Sequence, residues 1–195
     1  MADDLKTLST FIPAIAVRHA IANPKILMEP VQERNRAGVL FLDISGFTNL
    51  AESLAELGPE GSEKLTHILN EWFGRLIQIV GSYRGEVVSF AGDAFVAVWL
   101  RENEDVKPRD LVMRVTACAY DMQEVQPKLQ EELGVSLNFK LGVGLGRFEM
   151  LHISGVGGNW ALLTRGPGVE DAIGSEAFAQ PGDIIVAPEA WGKLG

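Results

Sequence analysis

Two aspartates stand where an apolar segment meets a turn. Asp43 follows the apolar segment 39–42, and Asp93 follows Gly92 just before the apolar segment 94–98. Such positions lie at the rim of a sheet, where water, metal and ligand have access. Two neighbouring carboxylates repel each other unless a cation lies between them. Ligands that are all oxygen favour Mg²⁺ or Mn²⁺, ions that also hold phosphate oxygens. Asp43 and Asp93 are therefore the candidate catalytic and metal-binding residues.

The turn after Asp43 opens a predicted helix. The N-terminus of a helix offers backbone N–H groups that have no partner inside the helix, and such groups bind phosphate. The candidate phosphate-binding residues of this turn are Ser45, Gly46, Phe47 and Thr48. Each aspartate also has an ordinary explanation, because Gly92-Asp93 suits a hairpin turn and an acid often precedes a helix. For either residue alone this alternative stays open, and it weakens if the fold brings the two together.

The elements around the aspartates are predicted to make them neighbours. A strand at 38–43 is followed by helices at 47–56 and 65–80 and by a hairpin at 85–90 and 93–100. The apolar residues of the second helix recur at i, i+3, i+4 and i+7, which indicates one broad buried face. A helical crossover makes the first strand parallel to the first hairpin strand, so the return strand fits between them. The end of the first strand then lies beside the start of the return strand.

The rest of the chain completes a mixed fold. The further predicted elements are a helix at 14–22, a helix at 108–132, a strand at 137–145 that Gly146 turns into a second strand at 149–153, a helix at 167–179 and a strand at 182–186. This order is the split β-α-β pattern of an α+β domain, with a ferredoxin-like, palm-type sheet that is mostly antiparallel and carries helices on one face. The first strand is apolar without alternation, which favours a central strand covered on both sides.

Length and composition are those of one globular domain. The 195 residues are 47% hydrophobic and 22% charged, and their net charge is −9. The acidic balance argues against a nucleic-acid partner, because phosphate contacts normally require a basic face. We expect residues 1–36 to form a segment packed on a domain at 37–195, a domain cut short at its C-terminus.

Several classes of protein are excluded by what the chain lacks. No segment approaches the roughly 18 apolar residues of a membrane span, and the acidic N-terminus differs from a signal peptide. The single cysteine, Cys118, excludes an internal disulfide and a cysteine-based zinc site. We therefore expect a cytoplasmic protein. His67 is predicted to be a surface residue, and the position of His152 on a strand between two apolar residues favours a structural role.

Two segments carry a resemblance to a known family. The segments FLDISGFTNL, 41–50, and FAGDAFVAVW, 90–99, resemble the metal-site motifs of class III nucleotidyl cyclases. The resemblance covers most of the chain from about residue 11 and is greatest to the first catalytic domain of the soluble, bicarbonate-responsive adenylyl cyclases. It implies that Asp43 and Asp93 bind two Mg²⁺ or Mn²⁺ ions, with the backbone carbonyl of Ile44 as a further ligand. It also implies that Lys140 contacts the β- and γ-phosphates of ATP, whereas without it Lys140 would be taken for a solvated strand-edge lysine.

The chain departs from the family at the positions from which the second domain of the pair contributes to the active site. In this family two such domains form the active site, and the second supplies a lysine and an asparagine that recognise adenine and an arginine that stabilises the transition state. The three corresponding positions here are Ser89, Glu170 and Gly174. The resemblance therefore implies the metal-bearing half of an adenylate cyclase. Its partner would be a second cyclase domain, on the same polypeptide or on another.

Two alternative functions compete with this one. The first is a catalytically silent domain that binds nucleotide or serves in dimerisation and regulation. The second is a diguanylate cyclase on a related palm fold, which the absence of a GGDEF-like run disfavours. In the bicarbonate-responsive relatives an anion site uses basic residues of the first domain. The positions that match them are Ser89 and the neighbourhood of Ile173 and Gly174, where Glu170 adds a negative charge, so we expect no bicarbonate site there.

Overall fold

A computed structural model of the chain describes residues 13–23, 29–101, 103–154 and 160–195. Parts of the predicted N-terminal segment, residues 1–12 and 24–28, lie outside the described residues. The helices are α1 (Ala14–Ala22), α2 (Phe47–Ala55), α3 (Pro59–Ser82), α4 (Pro108–Leu133), α5 (Pro167–Glu176) and α6 (Pro188–Trp191). The strands are β1 (Val31–Ser45), β2 (Glu86–Ala91), β3 (Ala94–Leu100), β4 (Asn138–Ser154), β5 (Trp160–Arg165) and β6 (Ile184–Val186). Among the described helices, none is both long and apolar enough to cross a bilayer.

One sheet has the strand order β2-β3-β1-β4-β5, and β6 pairs with β4. The β1–β3, β1–β4, β2–β3 and β4–β5 pairs are antiparallel, and only the β4–β6 pair is parallel among the described strands. The return strand of the hairpin, β3, therefore lies between β2 and β1, as the sequence predicts. The predicted α+β class with a mainly antiparallel sheet is confirmed.

The central ladder is longer than the sequence predicts. β1 begins at Val31, seven residues before the predicted start at 38, so the expected domain boundary after residue 36 falls inside this strand. Residues 31–36 alternate between half-buried and exposed, and all of them except Val31 are polar, so no apolar run marks this part of the strand. β1 pairs with β4 from the Val31–His152 pair to the Ser45–Asn138 pair.

The predicted turn at Gly146 is wrong, because β4 runs through it without a break. Gly146 pairs with Ala37 in the centre of the ladder. A Cβ atom on Gly146 would lie 3.0 Å from the backbone nitrogen of Gly168 in α5, and one on Gly144 would lie 2.2 Å from the Gly168 carbonyl oxygen. These glycines allow α5 to lie close to β4, and they do not form a turn of the chain.

The sheet is covered on both faces, as predicted for its central strand. One core joins the alternate residues Leu40 and Leu42 of β1 to Trp72 of α3 and Met122 of α4. The other core lies on the opposite face and contains residues of β1, β3, β4, α1 and α5, among them Val39, Val98, Phe148, Ile15 and Val169. The prediction of helices on one face therefore holds for the two long helices, and α1 and α5 add a second layer that it did not include.

Candidate active site

Asp43 lies near the end of β1, between two neighbouring strands. Its side chain is 29% exposed, so the carboxylate is partly shielded and still reachable. The last β1–β3 pair is Leu42 with Phe95, and on the other side Asp43 pairs with Lys140 of β4. β4 therefore holds the backbone of Asp43 on one side, while pairing with β3 on the other side ends one residue earlier.

Asp93 occupies the two-residue turn that joins β2 to β3. Ala91 and Ala94 close the hairpin, and Gly92 takes a φ of +66°. A two-residue loop with glycine first matches the type II′ turn, whose twist suits the flanking strands. Asp93 itself is partly exposed.

The strand register brings the two aspartates to the same edge. Counting on from the Leu42–Phe95 pair places Asp43 level with Ala94, the residue next to Asp93. With strands about 4.8 Å apart and about 3.3 Å per residue, Asp93 lies one strand and one residue away from Asp43. The antiparallel insertion of β3, predicted from the order of elements, is what creates this proximity.

Ile44, whose carbonyl is a predicted metal ligand, has a fully buried side chain in the main core. It pairs with Phe139 of β4, so its backbone is held in the ladder beside Asp43. The burial of this side chain anchors the strand at the point where the carboxylate faces outward. Metal binding by its carbonyl remains a prediction.

Lys140 does not behave as a solvated strand-edge lysine. Its Nζ lies 3.3 Å from Oδ2 of Asp43 and 2.5 Å from Oε1 of Glu176 at the end of α5. The hydrogen bond to Glu176, with a smaller contribution from Asp43, raises the pKa of Lys140 above its ordinary value. Lys140 is therefore a cation between two carboxylates. It compensates negative charge on Asp43 for which the sequence predicts a metal ion as the only counterion.

Glu176 is the site residue that the sequence analysis missed. Its side chain is only 10% exposed, so its charge depends on Lys140. The approach of α5 to β4 places it there, and a Cβ on Gly142 would lie 1.9 Å from the Ala172 carbonyl oxygen of that helix. The Asp43–Lys140 contact follows from strand pairing, but the Glu176 contact follows from helix packing, which no motif in the sequence indicates.

The predicted phosphate-binding turn lies directly after Asp43. Ser45 ends β1, and Gly46 adopts a left-handed conformation with φ of +93° before α2 begins at Phe47. No side-chain hydrogen bond from the described residues caps this helix. Gly46 and Thr48 are exposed, Ser45 and Phe47 are partly buried, and the turn lies at the same edge as Asp43.

The three positions that replace the second domain's residues are spread over two elements. Ser89 lies in β2 at an irregularity of the pairing and is partly buried opposite Val96. Glu170 and Gly174 are exposed residues of α5. Val96 belongs to the core on the α5 face of the sheet, so Ser89 lies on that face too. No hydrogen bond or ion pair joins any of the three to Asp43 or Lys140 in the part of the chain that the structure describes.

The two remaining candidate histidines lie away from this edge. His67 is exposed on α3, as predicted. His152 is fully buried at the opposite end of the β1–β4 ladder from Asp43. Burial lowers the pKa of His152 below its ordinary value, and the neighbouring His19 lowers it further, while Glu33 opposes this shift.

Comparison with known proteins places the chain in a family. The profile of the adenylate and guanylate cyclase catalytic domain matches residues 29–193. Adenylate cyclase type 10 of Mus musculus is 30% identical over 155 residues, which cover 78% of this chain and 9% of that protein. The Homo sapiens protein of the same name gives the same identity and coverage. This chain therefore spans about a tenth of the length of these relatives.

Solved structures show the same fold at lower sequence identity. The adenylyl cyclase CyaB from P. aeruginosa superposes with a TM-score of 0.72 at 21% identity, over 84% of this chain and 82% of that one. The guanylate cyclase domain of RhGC from Catenaria anguillulae, solved with GTP, has a TM-score of 0.69 at 20% identity, over 83% of this chain and 84% of that one. The profile match spans most of the chain, and the fold of the sheet accords with it. The chain belongs to the family of adenylate and guanylate cyclase catalytic domains.

Proposed function

We propose that this domain is the metal-bearing half of an adenylate cyclase and converts ATP to 3′,5′-cyclic AMP and pyrophosphate when it is paired with a complementary cyclase domain. The observation that carries the proposal is the common edge of Asp43, Asp93 and Lys140, formed by β1, the hairpin turn and β4. The choice of ATP over GTP rests on the relatives named adenylate cyclase, since the structural neighbours include both kinds of cyclase.

The donor groups at this edge fit two Mg²⁺ or Mn²⁺ ions. Asp43 and Asp93 offer carboxylate oxygens and Ile44 a backbone carbonyl, and hard divalent ions prefer an all-oxygen set. The ammonium of Lys140 lies 3.3 Å from Oδ2 of Asp43, so it would have to turn away from this oxygen, toward the phosphates, when the ions bind. When bound, the ions would supply Lewis-acid stabilisation of charge on the phosphates and on the ribose 3′-oxygen.

The chain's own residues would position the triphosphate. Lys140, held between Asp43 and Glu176, presents a permanent positive charge at the edge where the phosphates would lie. The exposed turn Gly46–Thr48 offers helix N-terminal N–H groups to the same phosphates. In the reaction the 3′-oxygen forms a bond to the α-phosphorus and loses its proton to solvent. The bond from that phosphorus to the bridging oxygen breaks, and pyrophosphate leaves with the electron pair.

The complementary half must come from another domain. Ser89, Glu170 and Gly174 provide neither the cation nor the amide that the family's second domain brings to the base and the transition state. A homodimer of this chain would therefore have two metal edges and no arginine from this motif. Loss of such an arginine is worth about 10³–10⁵ in rate for phosphoryl-type transfer. We propose that the isolated domain turns over very slowly.

A second function is favoured by one specific observation. A class III adenylyl cyclase-like ATP-binding protein from Pseudomonas aeruginosa superposes with a TM-score of 0.71 at 18% identity, over 83% of this chain and 35% of that one. Together with Ser89, Glu170 and Gly174, this supports a domain that binds nucleotide without catalysis. The two functions differ in whether a paired domain restores turnover.

The deciding experiment measures cyclic AMP formation with Mg²⁺ or Mn²⁺ for the chain alone and for the chain mixed with a cyclase domain that carries the lysine, asparagine and arginine. We expect almost no product from the chain alone and a large increase for the mixture. The increase should disappear when this chain carries Asp43→Asn. Nucleotide binding without any increase in turnover would favour the silent domain, and rapid turnover by the chain alone would contradict both proposals.

A further inference from the structure

A second group of ligand-type side chains lies at the other end of the β1–β4 ladder. His19 of α1, Glu33 of β1 and His152 of β4 each offer one nitrogen or oxygen atom, and these atoms all lie within 4.8 Å of one another. Glu33 is ten residues before Asp43 on the same strand, or about 33 Å at about 3.3 Å per residue. The group is therefore separate from the cyclase edge.

The side chains of this group converge on one oxygen atom. Nδ1 of His19 contacts Oε1 of Glu33, and Nε2 of His152 lies 3.6 Å from the same oxygen. The two imidazole rings are stacked, with centroids 3.6 Å apart and planes 12° from parallel. Two ligands at about 2.0–2.1 Å from a tetrahedral zinc ion are roughly 3.4 Å apart, which is close to the His152–Glu33 separation. The His19–Glu33 contact is shorter than this, and the lone pairs of stacked rings run parallel, so an ion would enter only as the His19 imidazole draws back from the carboxylate and tilts out of the stack.

Burial makes this arrangement unusual for a simple ion pair. The side chains of His19 and His152 are 4% and 0% exposed, while that of Glu33 is 32% exposed. A protonated histidine stacked on another buried imidazole is costly to desolvate. Neutral imidazoles, by contrast, each keep one ring nitrogen with a lone pair. The exposed side of Glu33 gives solvent, and so a water ligand, access to the same point.

We propose that His19, Glu33 and His152 form a binding site for a zinc-like divalent transition metal that fastens α1 to the β1–β4 ladder. Two imidazoles and a carboxylate suit Zn²⁺ and its neighbours, and they do not suit Mg²⁺, which prefers oxygen ligands. The site is thus chemically distinct from the all-oxygen set of Asp43 and Asp93.

The position of the three ligands gives the site a structural role. Each lies on a different element, so an ion would crosslink α1, β1 and β4 in one step. α1 is otherwise held by the burial of Ile15 and by the bonds of the Ile15 N–H and the Arg18 side chain to Glu86. An ion that binds the folded state alone stabilises it by an amount that grows with the logarithm of the ion's concentration above the dissociation constant. We therefore expect zinc to raise the melting temperature and to slow hydrogen exchange in α1.

The chain offers a matched control for the test, because its third histidine, His67, is exposed on α3. Chelator-treated protein is titrated with Zn²⁺ against a chromophoric chelator, with millimolar Mg²⁺ present to occupy oxygen-only sites. We expect one equivalent of Zn²⁺ to bind, and His19→Gln, Glu33→Gln and His152→Gln each to weaken binding by about tenfold or more. His67→Gln and the double variant Asp43→Asn with Asp93→Asn should bind zinc as the parent does.

A Co²⁺ titration gives an independent readout of the same site. Four-coordinate Co²⁺ with nitrogen and oxygen ligands should give a visible absorption band that His19→Gln removes and His67→Gln keeps. Absence of saturable one-to-one binding in the parent protein would overturn the proposal, whatever the variants do. Equal binding by the parent and the three ligand variants would overturn it as well, and would assign the ion to another part of the chain.

Discussion

Lys140 lies directly opposite Asp43 in the β1–β4 ladder, and its Nζ is 3.3 Å from Oδ2 of that aspartate. Glu176 approaches the same ammonium from α5 at 2.5 Å. The sheet edge with the carboxylates of Asp43 and Asp93 therefore already contains a cation, the ammonium of Lys140, held by two ion pairs. Two roles of the residue are coupled, because the lysine predicted to bind phosphate also keeps the carboxylates in place.

Lys140→Met should destabilise the domain by about 1–3 kcal/mol, because it leaves the largely buried Glu176 without a charged partner. The matched control is Lys128→Met, which removes an exposed i,i+4 pair with Glu132 at 3.7 Å and should cost less than about 0.5 kcal/mol. Urea unfolding without divalent metal measures both. Equal effects of the two substitutions would show that the Lys140 contacts contribute nothing specific.

The pH dependence of this contribution has a defined direction. The pKa of Lys140 is raised in the folded state above its ordinary value of 10.5. Its stabilisation is therefore fully present below pH 10.5 and is lost as the pH rises through the higher folded value. The difference in unfolding free energy between the parent and Lys140→Met should be constant from pH 7 to 9 and shrink in more alkaline buffer.

Asp43→Asn and Asp93→Asn should each abolish Mn²⁺-dependent binding of ATP, because each removes a carboxylate from the proposed metal set. Asp43→Asn should also lower stability slightly, since it removes a partner of Lys140. Isothermal titration calorimetry with a non-cyclisable ATP analogue measures the binding. Asp110→Asn, an exposed residue in the first turn of α4, is the control. Retention of metal-dependent binding by Asp43→Asn would contradict the paired-carboxylate site.

The sequence predicts the position of Asp43 and Asp93 because that position depends on element order. The insertion of β3 between β2 and β1 follows from a helical crossover and a hairpin, and those elements have clear periodicity. The mainly polar start of β1, residues 31–36, and the passage of β4 through Gly146 could not be predicted in the same way. Pairing partners, rather than local preference, decide both, since β1 and β4 support each other over their full lengths.

Residues brought together by packing alone escape a motif search. Glu176 reaches Lys140 because glycines of β4 let α5 lie on the strand. The His19–Glu33–His152 group joins three elements whose mutual positions no spacing in the chain encodes. Both groups combine residue types that are individually common, so only their coordinates distinguish them from surface or core residues.

Cys118 should be inert to thiol reagents in the folded protein. Its side chain is fully buried, and this burial, with a smaller contribution from the charge of Asp121, raises the pKa of the thiol to about 12. The nucleophilic thiolate is therefore scarce at pH 8, and reagents cannot reach the sulfur. Labelling with a chromogenic disulfide should proceed only as the chain unfolds in urea. Rapid labelling of the native protein would show that α4 opens locally.

Bicarbonate should not stabilise this domain. By the resemblance, the positions that match the basic residues of the relatives' anion site are Ser89 and the neighbourhood of Ile173 and Gly174, and the exposed Glu170 adds negative charge. The nearby Arg165 is engaged, because its Nε lies 3.0 Å from Oε2 of Glu149. A thermal melt at fixed pH and ionic strength, with chloride as the control anion, should show no bicarbonate-specific shift. A saturable shift that Arg165→Ala removes would show that this arginine leaves Glu149 to bind the anion.

Restoring the complementary residues within this chain should create an active site. In the triple variant Ser89→Lys, Glu170→Asn, Gly174→Arg, a homodimer would carry both halves, and turnover should rise by about 10³-fold or more over the parent. The third change is sterically permitted, because a Cβ on Gly174 meets nothing within 4 Å.

A complementation experiment separates this gain from any other effect of the three substitutions. The triple variant that also carries Asp43→Asn should be inactive alone and active when mixed with the parent chain, which supplies the intact metal edge. Replacing the parent in this mixture by Asp43→Asn should remove the activity again. Cyclic AMP formation at several mixing ratios gives the result, and activity should peak where heterodimers are most abundant. If the mixture is no more active than its components while both proteins bind ATP with Mn²⁺, the domain is not half of a cyclase site.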